Sequence, residues 1–156
     1  MSQYSTISTT KKKTIADLQR MKQAGQKITS LTAYDASFSA MLDQADIDIL
    51  LVGDSLGMVM QGHSRTLPVT VQNMIYHTQM VSCSSQQAFI IADLPFMSSA
   101  TPLQAAENAA LLIQQGGAQM IKLEGAKIKA IEFMVQQAIP VCAHLGLLPQ
   151  SIYQLG

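Results

Sequence analysis

Short apolar runs alternate along this chain with longer stretches whose apolar residues recur every three or four positions. The runs are "KITSLTA" (27–33), "DIDILLVG" (46–53), "AFIIADLP" (88–95), "AQMIKLEG" (118–125) and "AIPVCAHLG" (138–146). Each is bounded by Gly, Pro or Asp and is mostly apolar at successive positions. That pattern predicts strands of a parallel sheet covered on both faces. The intervening stretches predict helices. The first runs from about Thr14 to Ala24 and ends at Gly25. Asp35 caps a second, with Phe38, Met41, Leu42 and Ala45 on one face. Thr70 caps a third, through Val71, Met74, Ile75, Thr78 and Val81. Thr101-Pro102-Leu103-Gln104 reads as a cap, a proline at the first helical position and a capping-box glutamine. That helix stops at Gly116-Gly117, and a last one spans about Lys127 to Gln137.

Strands alternating with helices define an α/β fold with a parallel sheet. The five units take about 120 residues, and eight would need about 230–250, the usual size of a (β/α)8 barrel. The expected fold is therefore a five-stranded open sheet or the first five βα units of a (β/α)8 barrel. In both, 1–156 is one domain, with 1–13 a polar tail.

Composition narrows the function classes. The chain has 156 residues, 48% of them hydrophobic and 13% charged, and ten basic residues balance ten acidic ones. No basic excess marks a nucleic-acid surface. Lys11-Lys12-Lys13 reads as a solvated cluster before the first helix. No apolar stretch approaches the roughly 18 residues of a membrane span, and the start "MSQYSTISTT" has no apolar core of a secretory signal. Cys83 and Cys142 lack CxxC spacing and are expected to be reduced thiols in a cytoplasmic protein. The ten methionines read mostly as core filling.

The strand ends carry the chemistry. Strand two ends in Asp54-Ser55, strand three in Asp93 and strand five in His144, while strand four carries Lys122 and Glu124 on one face. Active sites of parallel α/β folds lie at the C-terminal ends of the strands, so these residues are expected on one rim. Singly, the aspartates could be turn formers, and Lys122 with Glu124 a structural ion pair. On four consecutive strands, coincidence is the weaker account. Asp54, Asp93 and Glu124 form an oxygen donor set suited to Mg²⁺, and no Cys/His cluster suggests zinc. Such a site beside Lys122 and His144 suits an anionic substrate with a carbonyl group, and proton abstraction next to that carbonyl. His77 reads as a surface or packing residue. His63 either lines the site or caps its loop.

"TAYD" (32–35), "LVGDSLGMVMQGHSRTLPVT" (51–70), "ADLPFM" (92–97), "IKLEG" (121–125) and "HLGLLPQS" (144–151) stand in an order and spacing that closely resemble the ketopantoate hydroxymethyltransferase family. The resemblance runs from about Ile28 to Ser151. It implies a (β/α)8 barrel that transfers a one-carbon unit from 5,10-methylenetetrahydrofolate to 3-methyl-2-oxobutanoate. The product would be 2-dehydropantoate, on the route to pantothenate and coenzyme A. Carried over by motif, Asp54 and Asp93 are Mg²⁺ ligands, with Glu124 close to the metal, directly or through water. Asp54, Ser55, Asp93, Lys122 and His144 contact the keto acid. The resemblance further implies a cytoplasmic homo-oligomer, a decamer in the family, with two small-molecule partners and neither nucleic acid nor membrane.

Two local departures are Ala143, where the family usually has Gly, and Leu148, where it has Thr. The glutamate regarded as general base in the family falls beyond residue 156, so no residue of this chain takes that role. The 156-residue chain is accordingly expected not to catalyse the family reaction by itself. Two alternatives stand beside this reading. One is a non-catalytic remnant or fragment. The other is a Mg²⁺-dependent carbon–carbon lyase of the phosphoenolpyruvate/pyruvate barrel group.

Overall fold

The computed structural model describes residues 11–155, and residues 1–10 of the expected tail lie outside them. Five strands form one parallel sheet in sequence order: β1 Ser30–Thr32, β2 Ile49–Val52, β3 Phe89–Asp93, β4 Met120–Glu124 and β5 Val141–His144. The helices are α1 Ile15–Gln23, α2 Ala36–Gln44, α3 Leu56–Val59, α4 Val71–Ser84, α5 Pro102–Gln114, α6 Ile128–Gln136 and α7 Ile152–Leu155. A 3-10 turn, Pro149–Ser151, precedes α7. These are the five βα units of the (β/α)8 class, each expected strand trimmed by one to three residues at its ends. The sequence pattern did not show α3, the 3-10 turn or α7, which are single turns too short for a periodicity.

The core lies between the sheet and its helices. Leu50, Val52, Ile90, Ala92, Ile121 and Leu123 alternate along β2, β3 and β4 and are fully buried against Met74, Val81, Ala105, Ala109, Leu112 and Met134. Only β3 is buried at every position. The edge strands depart from the expected two-sided cover: β1 is exposed throughout, and β5 has no fully buried residue.

The caps follow the sequence. Thr70 accepts from the Asn73 amide at 3.1 Å, and the Asn73 side chain returns the bond to Thr70. Thr101 accepts from the Gln104 amide at 3.2 Å. The Gln104 carboxamide, however, accepts from Ala100, one residue ahead of the expected partner.

Three expectations are corrected. The buried face of α2 is Ser39, Leu42 and Asp43, while Phe38 and Met41 are about half exposed. The cause is polar: the Ser39 hydroxyl donates to the Val81 carbonyl at 2.9 Å, and Asp43 is drawn under the loop entering β3. The basic cluster is not wholly solvated either. Lys13 donates its amide to Gln87 at 2.8 Å, accepts from the Gln119 carboxamide at 3.0 Å and pairs with Asp48 at 3.2 Å. Among the methionines of the described residues, only Met74 and Met134 are fully buried; Met41, Met58, Met60 and Met97 are exposed.

Asp43 organises the N-terminal end of the sheet. Its carboxylate accepts from the Ser85 hydroxyl and from the amides of Gln86, Gln87 and Ala88, all within 2.8–3.0 Å. Burial alone would push its carboxyl up, but these donors outweigh it and hold the group below the ordinary carboxylate value. A depressed folded-state value contributes stability above the unfolded value, about 3.9, and loses it as pH falls through the folded one. Asp43→Ala removes the acceptor of three amides, that of Ala88 buried and those of Gln86 and Gln87 part-buried, and should cost about 2–3 kcal/mol in urea denaturation at pH 7. The gap between wild type and variant should narrow below about pH 4. An equal gap at pH 7 and pH 3 would contradict this role.

Candidate functional site

The parallel register sets the geometry of the rim. Asp93 stands opposite Lys122, and Glu124 opposite His144. All four side chains lie on the face of the sheet away from the helices. Asp54 is separated from β2 by Gly53 alone, and that glycine makes the approach to β3 feasible. A Cβ at Gly53 would stand 3.0 Å from the Ser55 hydroxyl and 3.3 Å from Asp93 Oδ2. The turn into α3 is equally constrained, since a Cβ at Gly57 would come within 2.5 Å of Val69. This is why an apolar run ends in Gly-Asp-Ser: the strand leaves the core beside a second acid.

Asp93 is the centre of the cluster. Its Oδ1 accepts from Lys122 Nζ at 2.5 Å, and its Oδ2 accepts from the Asp54 amide at 3.2 Å. Asp54 and Asp93 are both buried. Burial pushes the Asp93 carboxyl up to about 6 despite Lys122, and the Asp54 charge adds to the rise. Asp54 is also raised, again chiefly by burial. Lys122 thus pairs with Asp93, not with Glu124 as the ion-pair alternative had it. His144 Nδ1 lies 3.9 Å from Glu124 Oε1 and is buried without a hydrogen-bond partner. Ser55 is held from behind, its hydroxyl 2.7 Å from the Tyr34 hydroxyl.

The expected three-carboxylate set is not drawn into one group. Among the described residues no three His, Cys, Asp or Glu side chains converge as for a shared ion. Gln150 intervenes. Its amide donates to Glu124 Oε2 at 3.0 Å, and its carboxamide donates to Asp54 Oδ2 at 2.8 Å and to the Leu94 carbonyl at 3.0 Å. Asp54 and Asp93 are linked directly, through the Asp54 amide, whereas Glu124 is joined to Asp54 by way of Gln150. That still fits Mg²⁺, which takes one or two carboxylates and completes its shell with water or substrate. The Thr66 hydroxyl, beside Asp54, is buried yet makes no hydrogen bond of proper geometry. With His144 Nδ1, it is a polar atom lacking a partner at the place where a hydrated ion or ligand would supply one.

The other candidates stay outside. His77 Nδ1 lies 2.7 Å from the Tyr34 carbonyl, a packing role as expected. His63 is exposed, and its amide closes the loop onto Gly57 at 2.8 Å. Sequence reasoning missed Gln150, Thr66 and Tyr34 as contributors. The first belongs to "LPQS" and the other two to "SRTLPVT" and "TAYD", motifs that were legible as blocks without showing which side chain turns inward.

Residues 12–156 match the family model for ketopantoate hydroxymethyltransferase. The chain belongs to the ketopantoate hydroxymethyltransferase family. It is 57% identical over 145 residues to a 3-methyl-2-oxobutanoate hydroxymethyltransferase of Nitrosococcus oceani, which covers 92% of the chain and 55% of that relative. It is 55% identical to the protein of that name from Idiomarina loihiensis, covering 94% and 56%. The chain thus spans about half the length of the curated relatives it matches. Among solved structures it resembles 2,3-dimethylmalate lyase, a PEP mutase/isocitrate lyase superfamily member, at a TM-score of 0.62 and 17% identity, over 82% of this chain and 51% of that one. Oxaloacetate acetylhydrolase gives 0.57 at 12% identity, over 80% and 50%. These likenesses concern the barrel fold alone. They extend it from ketopantoate hydroxymethyltransferases to enzymes named for other reactions.

The Asp93–Lys122 pair is a direct test of the site's electrostatics. Lys122→Met leaves a buried carboxylate without its cation and should destabilise by about 3 kcal/mol. Adding Asp93→Asn removes the stranded charge and should recover most of that loss in urea denaturation. A double variant no more stable than Lys122→Met would show that the pair is not coupled.

Proposed function

We propose that this site serves the reaction named for the chain's relatives, hydroxymethyl transfer to 3-methyl-2-oxobutanoate. The carrying observation is the linked Asp54–Asp93–Lys122 cluster, placed at the strand ends within a family match that covers 12–156. By resemblance, the one-carbon donor is 5,10-methylenetetrahydrofolate and the metal is Mg²⁺. Asp54 and Asp93 would hold the ion, and Glu124 would act on it through water. A Mg²⁺ there supplies polarisation of the keto oxygen and stabilises the negative charge that builds on it.

The chain's own residues do the rest. Lys122 has three donors, one of which is spent on Asp93, so the others can hold an oxygen of the anionic substrate. Ser55 offers a hydroxyl whose position Tyr34 fixes. His144 has a buried ring nitrogen without a hydrogen-bond partner, and by resemblance it would face the keto acid. No helix among the described residues is long and apolar enough to cross a membrane. In this reading the protein acts on two small molecules in the cytoplasm, as a homo-oligomer like its family.

The lyase alternative draws on fold likeness at 17% identity, against 57% to a hydroxymethyltransferase. Titration calorimetry separates the two. The keto acid 3-methyl-2-oxobutanoate should bind in the presence of Mg²⁺ and fail to bind in its absence. Asp93→Asn should weaken that binding about 100-fold, the scale of losing a metal ligand worth several kcal/mol. Mg²⁺-independent binding of the keto acid, or tighter binding of 2,3-dimethylmalate, would overturn the assignment.

A further inference from the structure

We propose that Gln150 is a positioning residue that presets the carboxylates of the site for a divalent cation. The inference rests on the reading that Asp54 and Asp93 hold such an ion, and it assigns a role to a residue that makes no contact with the ion.

Gln150 sits in the turn after β5 yet touches the ends of three other strands. Its carboxamide Nε2 donates to Asp54 Oδ2 beyond β2 and to the Leu94 carbonyl beyond β3. Its backbone amide donates to Glu124 Oε2 at the end of β4. One residue therefore fixes the spacing of Asp54 and Glu124 and ties both to the segment carrying Asp93. With Oδ2 of Asp54 engaged by the carboxamide, Oδ1 is left for an incoming ion.

The choice of a carboxamide is the informative point. Asp54, Asp93 and Glu124 bring three carboxylates to the site, against two cations, Lys122 paired with Asp93 and Lys127 facing Glu124, so the cluster carries an excess of negative charge. A lysine or arginine could hold Asp54 equally well, but it would cancel part of that charge. Glutamine restrains the carboxylate by hydrogen bonding while leaving its charge to the ion. Donors that orient a metal-binding carboxylate in this way typically govern affinity by 10- to 100-fold.

Mn²⁺ is the probe, with its free concentration read by electron paramagnetic resonance, so no turnover is needed. Gln150→Met keeps the length and volume of the side chain, keeps the backbone amide and removes only the carboxamide. It should weaken Mn²⁺ binding about 10- to 100-fold, with a thermal midpoint within a few degrees of wild type. Unchanged affinity would overturn the proposal. So would tighter binding, which would mean that the carboxamide competes for the ion's place. If the variant does not fold, the wild-type protein decides through the Gln150 side-chain amide protons. They should remain protected from exchange when Mg²⁺ saturates the site, and their release on Mg²⁺ addition would overturn the role. Failure of the underlying reading looks different: wild type and Asp93→Asn would bind Mn²⁺ equally, and the Gln150 proposal would fall with it.

Discussion

Everything at the rim depends on one constraint, a carboxylate held dry at the end of the central strand. Asp93 ends β3, the strand buried at every position. A charge in such a place must be matched or neutralised. The parallel register supplies the match by placing Lys122 directly opposite. A slip of one residue in β4 would turn Lys122 and Glu124 into the helix layer and bring Ile121 and Leu123 to the rim. The apolar packing behind β4 therefore holds the ion pair in front of it.

The two ends of the sheet use acids in opposite ways. Asp43, below the N-terminal end, is surrounded by amide and hydroxyl donors that hold it ionised. Asp93 and Asp54, at the C-terminal end, are short of donors, and burial raises both. The first arrangement is self-sufficient and stabilises the fold. The second leaves charge without full compensation, the condition under which a site retains attraction for a ligand. Burial is common to both; the number of donors separates structure from function.

The sequence exposed the regular part of this design. Apolar runs located all five strands, and Thr14, Asp35, Thr70 and Thr101 marked four helix starts. Asp54, Asp93, Lys122, Glu124 and His144 were legible because they interrupt apolar strand ends. What escaped notice depends on contacts distant in sequence. Hydrophobicity suggested that Phe38 and Met41 would be buried in α2, yet Ser39 and Asp43 face inward because partners 42 and more residues away satisfy them. Lys13 looked like solvated tail because its partner Asp48, just before β2, is distant in sequence. Gln150 carries no periodicity or charge signal. Its role exists only once three strand ends are brought together, 26, 56 and 96 residues upstream.

Strand order equals sequence order from β1 to β5. Reading along the chain is therefore the same as walking around the rim, and each βα unit delivers its own chemical group: a hydroxyl pair from the first and second, acids from the second and third, a cation and an acid from the fourth, an imidazole from the fifth. Units arranged this way can be revised singly, because a changed loop alters one station of the walk and leaves the framework of its neighbours standing. Gln150 departs furthest from that modularity, beyond the neighbour-to-neighbour bonds of Tyr34 with Ser55 and of Lys122 with Asp93. By reaching back to three stations at once, it makes the fifth unit's turn the part least free to vary alone.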